Sequence, residues 1–155
     1  MLGVRVELPT NQPIVLLRER DGVRHLPIWI GAAEATAIAY AQQGVVPPRP
    51  LTHDLLINTL TVVGEELTEV RIERLEDGVF HASLVLASGR TVDSRASDAI
   101  ALAIRAGAEV TAPEELLAEA GITLPDEADD EVAKFKEFLD QVTPEDFDSP
   151  TEPIV

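Results

Sequence analysis

The 155-residue sequence contains no cysteine. This absence excludes disulfide bonds, cysteine-ligated zinc and thiol nucleophiles from any mechanism. No apolar run approaches the roughly 18 residues that a transmembrane helix needs, so we expect no membrane contact. The first ten residues lack a basic segment followed by an apolar stretch, and we therefore expect no secretory signal peptide. Together these absences predict a cytoplasmic protein.

Basic side chains are also scarce. Twelve lysines and arginines stand against 28 aspartates and glutamates, which gives a formal net charge of −16. From Glu114 onward there are 14 acids and two bases, whereas the first 113 residues hold 14 acids and ten arginines. The acidity thus belongs mainly to the C-terminal part. An acidic protein repels phosphates, which disfavours nonspecific nucleic-acid binding but permits a local site built on arginines or a bound metal ion.

Hydrophobic residues make up 45% of the chain, enough for one domain with a buried core. Residues 2–8 resemble a strand, and the runs PIVLLRER and VRHLPIWI are separated by Asp21-Gly22, a typical hairpin turn. The alanine-rich run AAEATAIAYAQQ then predicts a helix that ends at Gly44. Prolines in VVPPRP break the helical pattern, and Thr52 can cap a second helix that Gly64 ends.

The same order recurs in the second half. The runs ELTEVRIERL, VFHASLVLA and RTVDS predict strands joined by turns at 77–78 and 88–89. The run SDAIALAIRA predicts a helix ending at Gly107, and a last helix ends at Gly121.

The two halves can also be aligned. AAEATAIAYA, from Ala32, matches ASDAIALAIR, from Ala96, with alanine at four shared positions and Glu34 opposite Asp98. This match and the shared element order predict a duplicated unit of strands followed by two helices. We therefore expect an α+β fold in which residues 1–121 form a single pseudo-twofold domain.

Residues 122–155 have a different character. A polar linker, TLPDEADDE, precedes VAKFKEFLDQV, whose apolar residues have near-helical spacing. They predict a short amphipathic helix near residues 130–142, lying on the body or on a neighbouring subunit. The acidic end of this tail is expected to be frayed or disordered.

Three longer motifs stand out: LPIWIGAAEATAIA, PRPLTHDLL and SRASDAIALAIR. In this order and spacing they resemble the bifunctional nuclease domain family, over roughly residues 2–121. The tail run KFKEFLDQVTPEDF is similar to the extension of bacterial members. One departure is Ala96, where the family usually has proline; it removes some preset geometry at the helix start but no reactive group.

The resemblance implies a metal-assisted nuclease that hydrolyses RNA, DNA or both. Phosphodiester hydrolysis needs an activated water, charge stabilisation on the phosphate and help for the leaving oxygen. Carboxylates holding Mg²⁺ or Mn²⁺ would also offset the charge conflict with the substrate. No P-loop or dinucleotide fingerprint is present, and no organic cofactor is expected.

The THDLL motif supplies two candidate catalytic residues. His53 could act as general base or acid, and Asp54 could bind metal or orient the histidine. In the alternative, Thr52 caps the helix and Asp54 interacts with its dipole. That alternative explains the aspartate but not the histidine.

The SRASDA motif supplies substrate and metal candidates. Arg95 and Ser97 could bind phosphate at the helix start, and Asp98 could bind metal together with Glu34, its repeat equivalent. In the alternative, Ser97 caps the helix, the acids favour its dipole, and Arg95 forms a surface ion pair. Arg49 is a further phosphate contact or a residue of a rigid loop.

For the remaining candidate residues a structural role is the simpler interpretation. His25 and His81 lie in strand patterns, where a sheet-surface or hydrogen-bonded role is the simpler interpretation. Trp29 is expected in the core or an interface. The competing function is a non-catalytic ligand-binding or protein-interaction domain. A homo-oligomer is expected under either function, because sheet edges and the tail helix offer pairing surfaces.

Overall fold

The computed structural model describes the backbone of residues 2–7 and the complete residues 12–124. These residues form two four-stranded sheets and four helices, and neither sheet closes into a barrel. The predicted α+β class is thus confirmed. None of the four helices is long and apolar enough to span a membrane. In chain order the elements are β1 (Leu2–Glu7), β2 (Ile14–Glu19), β3 (Arg24–Trp29), α1 (Ala32–Gln42), α2 (Thr52–Val62), β4 (Leu67–Glu76), β5 (Val79–Leu86), β6 (Thr91–Arg95), α3 (Ala96–Ala106), β7 (Glu109–Thr111), α4 (Glu114–Ala120) and β8 (Ile122–Thr123).

The first sheet has the order β1-β2-β3-β8, and all its neighbouring strands are antiparallel. The turn predicted at Asp21-Gly22 joins β2 to β3. Strand β8 was not predicted, because its two residues, Ile122 and Thr123, fall within residues 122–155, the stretch interpreted as a tail. They pair with His25 and Arg24 of β3, so the first sheet includes two residues that follow Gly121.

The second sheet has the order β6-β5-β4-β7, in which β7 is parallel to β4. At the β4–β5 turn, Asp77 has φ 51° and Gly78 has φ 75°. Two consecutive positive φ values are typical of a type I′ turn, whose twist matches that of the flanking strands. The Asp-Gly hairpin prediction is therefore correct here, for the expected stereochemical reason.

The core lies between the inner faces of the sheets and the helices, with α3 at its centre. Helix α3 packs against α1, α2 and the strands of the second sheet. Four of its buried residues are alanines, whose small side chains let neighbouring elements approach closely. The largest fully buried side chains are Val15, Leu17, Leu26, Ile38, Val70, Ile72, Ile100 and Leu102.

Helix α2 packs against the core less closely than the other described helices do. Of the four helices described, it alone has no buried residue. Ile57 and Leu60 pack, half-buried, against the core. Few apolar contacts therefore fix the helix that carries His53, and polar contacts must contribute to its position.

Both halves contain three antiparallel strands followed by two helices, but their fourth strands differ. β8 pairs with the third strand of the first set, and β7 pairs with the first strand of the second. Strand β7 also separates α3 from α4. Internal duplication and a pseudo-twofold domain stay predictions. The helix predicted near residues 130–142, with the rest of the tail, lies outside the described residues.

Candidate functional site

A cleft of about 1110 Å³ opens between α1, the first half of α2, β6 and the start of α3. Its volume slightly exceeds the range typical of small-ligand pockets. The acidic, basic and histidine side chains of its lining are Glu34, His53, Asp93, Arg95 and Asp98. The second and third sequence motifs both contribute residues to this lining, and so does the helical part of the first motif. We therefore take this cleft as the candidate functional site.

Four of these side chains form one hydrogen-bonded chain across three helices. His53 Nε2 lies 3.0 Å from Asp98 Oδ1. The other oxygen of Asp98, Oδ2, accepts a 2.6 Å hydrogen bond from Arg95 Nε. Arg95 Nη2 donates in turn to Glu34 Oε1 at 3.2 Å. The chain His53–Asp98–Arg95–Glu34 therefore connects α2, α3 and α1.

Asp98 is ionised in this arrangement. Partial burial acts to raise its pKa, but hydrogen bonds from Arg95 and His53, together with their charges, hold the pKa below its usual value. The carboxylates of Asp98 and Glu34 also raise the pKa of the Arg95 guanidinium. An ionised Asp98 can only accept a hydrogen bond from Nε2 of His53, so the neutral imidazole carries its hydrogen on Nε2. Its Nδ1 is then the atom that can accept a proton.

A second polar cluster holds α2 in place through Arg105. Its Nε donates to Asp54 Oδ1 at 2.8 Å, and its two terminal nitrogens donate to the carbonyls of Ala101 and Ala37 at 2.9 and 3.0 Å. The Arg105 side chain is only 10% exposed. This one guanidinium thus connects α1, α2 and α3 just below the cleft, and we call it the Arg105 clamp.

Asp54 belongs to this clamp and does not line the cleft. Its Oδ2 accepts the backbone N–H of Leu51 at 3.0 Å, and its Oδ1 accepts from Arg105. The Arg105 hydrogen bond, assisted by the Leu51 N–H, lowers the pKa of Asp54. Asp98, not Asp54, therefore orients His53.

Two other predicted substrate contacts also lie outside the lining of the cleft. Arg49 is exposed in the loop between α1 and α2, and Ser97 is half-buried in the first turn of α3. The predicted caps were wrong as well, because both helices begin earlier than expected. Leu51 and Arg95 occupy the N-cap positions, so Thr52 and Ser97 lie inside the first turns.

The predicted metal ligands do not form a ready-made site. Glu34 and Asp98 flank the guanidinium of Arg95, while Asp54 is bound by Arg105. Within the described part of the chain, no group of three His, Asp or Glu side chains could hold a metal ion. The three carboxylates together do not fit a bound Mg²⁺ or Mn²⁺, and metal dependence stays a prediction.

Sequence reasoning missed Tyr40, Asp93, Ser94 and Arg105. The first three line the cleft. Asp93 immediately precedes the third motif and Ser94 is its first residue. Because β6 runs directly into α3, the sequence position of both residues indicated that they lie near the site. Arg105 lies seven positions after Asp98, which places both residues on one helix face toward α2.

The other two histidines and the tryptophan do not line the cleft. His25 lies in β3, and His81 lies in β5 with its Nδ1 3.4 Å from Arg74 Nη2. Trp29 is exposed at the end of β3, so a core position is wrong and an interface position remains.

The chain is similar to one protein family and to two proteins of known sequence. The family model of the bifunctional nuclease domain matches residues 15–125, which include the whole cleft. Two proteins of Mycobacterium tuberculosis, uncharacterized protein MT1877 of strain CDC 1551 / Oshkosh and uncharacterized protein Rv1829 of strain ATCC 25618 / H37Rv, are similar to the chain. Each is 51% identical to it over 156 residues, covering 95% of both sequences. The chain therefore belongs to the bifunctional nuclease domain family.

Proposed function

We propose that this protein cleaves phosphodiester bonds of RNA or DNA in the cleft, with His53 as the proton-transfer residue. The observation that carries the proposal is the His53–Asp98 pair beside the guanidinium of Arg95. It lies in a cleft of a chain that belongs to the bifunctional nuclease domain family.

His53 supplies the base that the reaction needs. Its Nδ1 accepts a proton from the attacking hydroxyl, either water or the 2′-hydroxyl of RNA. The oxygen bonds to phosphorus, the bond to the leaving oxygen breaks, and the leaving oxygen takes up a proton from solvent. Ionised Asp98 stabilises the imidazolium that forms and keeps its ring in one orientation.

Arg95 supplies the positive charge for the phosphate. Its side chain is 67% exposed, and its bonds to the carboxylates use Nε and Nη2. Nη1 can still donate to a phosphate oxygen. Forked guanidinium donors suit phosphate geometry.

The test is cleavage by the purified full chain. Single-stranded RNA and DNA oligonucleotides are incubated with Mg²⁺, with Mn²⁺ or with a chelator, and products are separated on a gel. We expect cleavage, and we expect His53→Ala to lower its rate by about 10²- to 10⁴-fold, the usual contribution of general acid–base catalysis. The chelator arm decides whether a metal ion assists.

His81→Ala is the matched control, because His81 lies on a strand and does not line the cleft. It should cleave at the wild-type rate. No cleavage of either polymer in any condition, or full activity in folded His53→Ala, would overturn the proposal.

The competing function, non-catalytic binding, is favoured by the charge of the cleft. Glu34, Asp93 and Asp98 outnumber Arg95 among its lining residues, and three carboxylates repel phosphate. Binding of a neutral or cationic ligand that Asp93→Asn weakens, in a protein without cleavage activity, would establish this alternative. A cytoplasmic location and homo-oligomer formation remain predictions under both.

A further inference from the structure

The candidate cleft has an apolar surface beside its charged residues. Of the 14 large apolar side chains that are exposed between residues 12 and 124, five line this one cleft. We call these five side chains the apolar wall; its members are Tyr40, Leu51, Leu55, Leu56 and Val92. Their exposed fractions range from 37% for Tyr40 to 57% for Leu55. Exposed apolar side chains that converge in a concave site are typical of a surface that a ligand covers.

The elements that carry the charged residues also carry the apolar wall. Helix α2 supplies His53 together with the three leucines, and β6 supplies Val92 together with Arg95. On α1, Tyr40 follows Glu34 by six residues, about 9 Å along the helix axis. This distance is about the height of three stacked bases, at roughly 3.4 Å each. A strand of a few nucleotides that contacts Arg95 therefore also reaches the apolar wall.

The charge of the lining limits how a nucleic acid can be held. Among the described residues of the lining, Arg95 is the one lysine or arginine, and it stands against the three carboxylates of Glu34, Asp93 and Asp98. Proteins that bind through the nucleic-acid backbone neutralise several phosphates with lysine and arginine. A lining with more anions than cations does not attract a polyanion in that way. Most of the affinity for a strand must therefore come from its uncharged parts, the bases.

We propose that the apolar wall is a nucleobase subsite, in which an unpaired base stacks on the ring of Tyr40 and packs against the leucines. This inference rests on the proposed function, because it takes the ligand to be a nucleic acid with a phosphate on Arg95. Every base has a π face, so stacking on an aromatic ring tolerates any sequence. The bases of a duplex are paired and stacked in its interior, and only an unpaired base reaches the wall. The cleft thus selects single-stranded RNA or DNA.

The first test compares ligands that differ in the access to their bases. Full-length His53→Ala protein, which is expected to cleave slowly, is titrated into a short labelled single strand, its duplex and an abasic strand of equal length. Fluorescence anisotropy gives each Kd. We expect the single strand to bind about 5- to 100-fold more tightly than the other two, the usual effect of one stacked base. Equal affinity for the single strand and the abasic strand overturns the proposal.

The salt dependence of the same binding is a second readout. One phosphate contact to a single strand gives a slope of about −0.7 for the logarithm of the binding constant against the logarithm of salt concentration. Because Arg95 is the one cation of the described lining, we expect a slope no steeper than this value. A slope several times steeper would show that backbone charge carries the affinity, which contradicts the base-driven mode.

The third test removes the stacking ring. In the His53→Ala protein, Tyr40→Ala should raise the Kd of the single strand by about 5- to 100-fold and leave that of the abasic strand unchanged. Tyr40→Phe keeps the ring and should bind normally. The matched control is Trp29→Ala, since Trp29 is an aromatic residue that is 58% exposed and does not line the cleft. Unchanged binding in Tyr40→Ala, or an equal loss in Trp29→Ala, overturns the subsite. The abasic comparison decides the question if Tyr40→Ala fails to fold.

Cleavage by the wild type is measured separately, so the subsite and the nuclease function can fail independently. Cleavage of single strands together with unchanged binding in Tyr40→Ala overturns the subsite and keeps the nuclease function. Base-dependent binding without cleavage of any polymer overturns the nuclease function and keeps the subsite. Absence of binding to all three ligands overturns the subsite outright.

Discussion

His53 Nε2 lies 3.0 Å from Asp98 Oδ1, although the two residues are 45 positions apart in the chain. The contact forms because α2 packs across α3, so that its first turn reaches the first turn of α3. Asp98 also accepts a hydrogen bond from Arg95 Nε. This one carboxylate therefore connects the candidate base, His53, to the candidate phosphate ligand, Arg95.

Asp98→Asn should reduce cleavage while preserving the fold. The amide keeps the shape of the side chain but loses the charge that stabilises an imidazolium, so we expect a rate loss of about 10²-fold or more. The measurement is cleavage of a labelled oligonucleotide under single-turnover conditions. Asp77→Asn is the control. Asp77 lies in the β4–β5 turn and does not line the cleft, and its φ of 51° is a conformation that asparagine tolerates. Equal losses in the two variants would argue against a specific role for Asp98.

Arg95→Ala should weaken substrate binding more than a loss of surface charge alone would. A charge-assisted hydrogen bond is typically worth about 1.5–3 kcal/mol, so we expect an increase in Kd of about tenfold to a hundredfold. Arg95→Lys should restore part of the affinity, because it keeps the charge but not the fork.

The Arg95 measurement is fluorescence anisotropy of a single-stranded oligonucleotide over a series of salt concentrations. Arg90→Ala is the matched control, as Arg90 is exposed and paired with Glu65 outside the cleft. If both alanine variants bind equally well, Arg95 has no special contact with the substrate.

Arg105 should act as a positioning residue for α2. Arg105→Ala removes the clamp to Asp54 and to two carbonyls, and α2 has no buried residue to compensate. We expect faster hydrogen exchange in α2, little change in the core strands, and slower cleavage because His53 is less well placed. Arg74→Ala, which removes surface ion pairs on β4, should change none of these. Uniformly faster exchange throughout the protein would indicate a general loss of stability instead.

Asp54 should give the protein a specific acid sensitivity. The hydrogen bond from Arg105 lowers the pKa of Asp54 in the folded state, so ionisation stabilises the fold above the unfolded-state pKa of about 3.9. This stability is lost as the pH falls through the lower folded-state pKa. Urea unfolding at a series of pH values should show Asp54→Asn about 1–2 kcal/mol less stable near pH 6. The gap should shrink below about pH 4, and a gap independent of pH would contradict the assignment.

The elements set by local chemistry were predictable. Asp77-Gly78 adopts positive φ values because that dipeptide tolerates them, and Gly107 ends α3 at φ 66° for the same reason. Strand β8 was not predictable, because two residues carry no periodic pattern and become a strand only by pairing with β3. The predicted caps at Thr52 and Ser97 were wrong by one and two positions, because Leu51 and Arg95 are the N-cap residues and helix ends are the least sharply defined part of a helix.

The sequence by itself determined the α+β class, the turns, the extent of most helices and four candidate residues that line the cleft: Glu34, His53, Arg95 and Asp98. The tertiary structure alone decided which carboxylate serves His53. Adjacent side chains on a helix point about 100° apart, and here His53 lines the cleft whereas Asp54 does not. His53 contacts Asp98, and Asp54 contacts Arg105. His53 and Asp54 are therefore neighbours in the sequence that do not act as a pair.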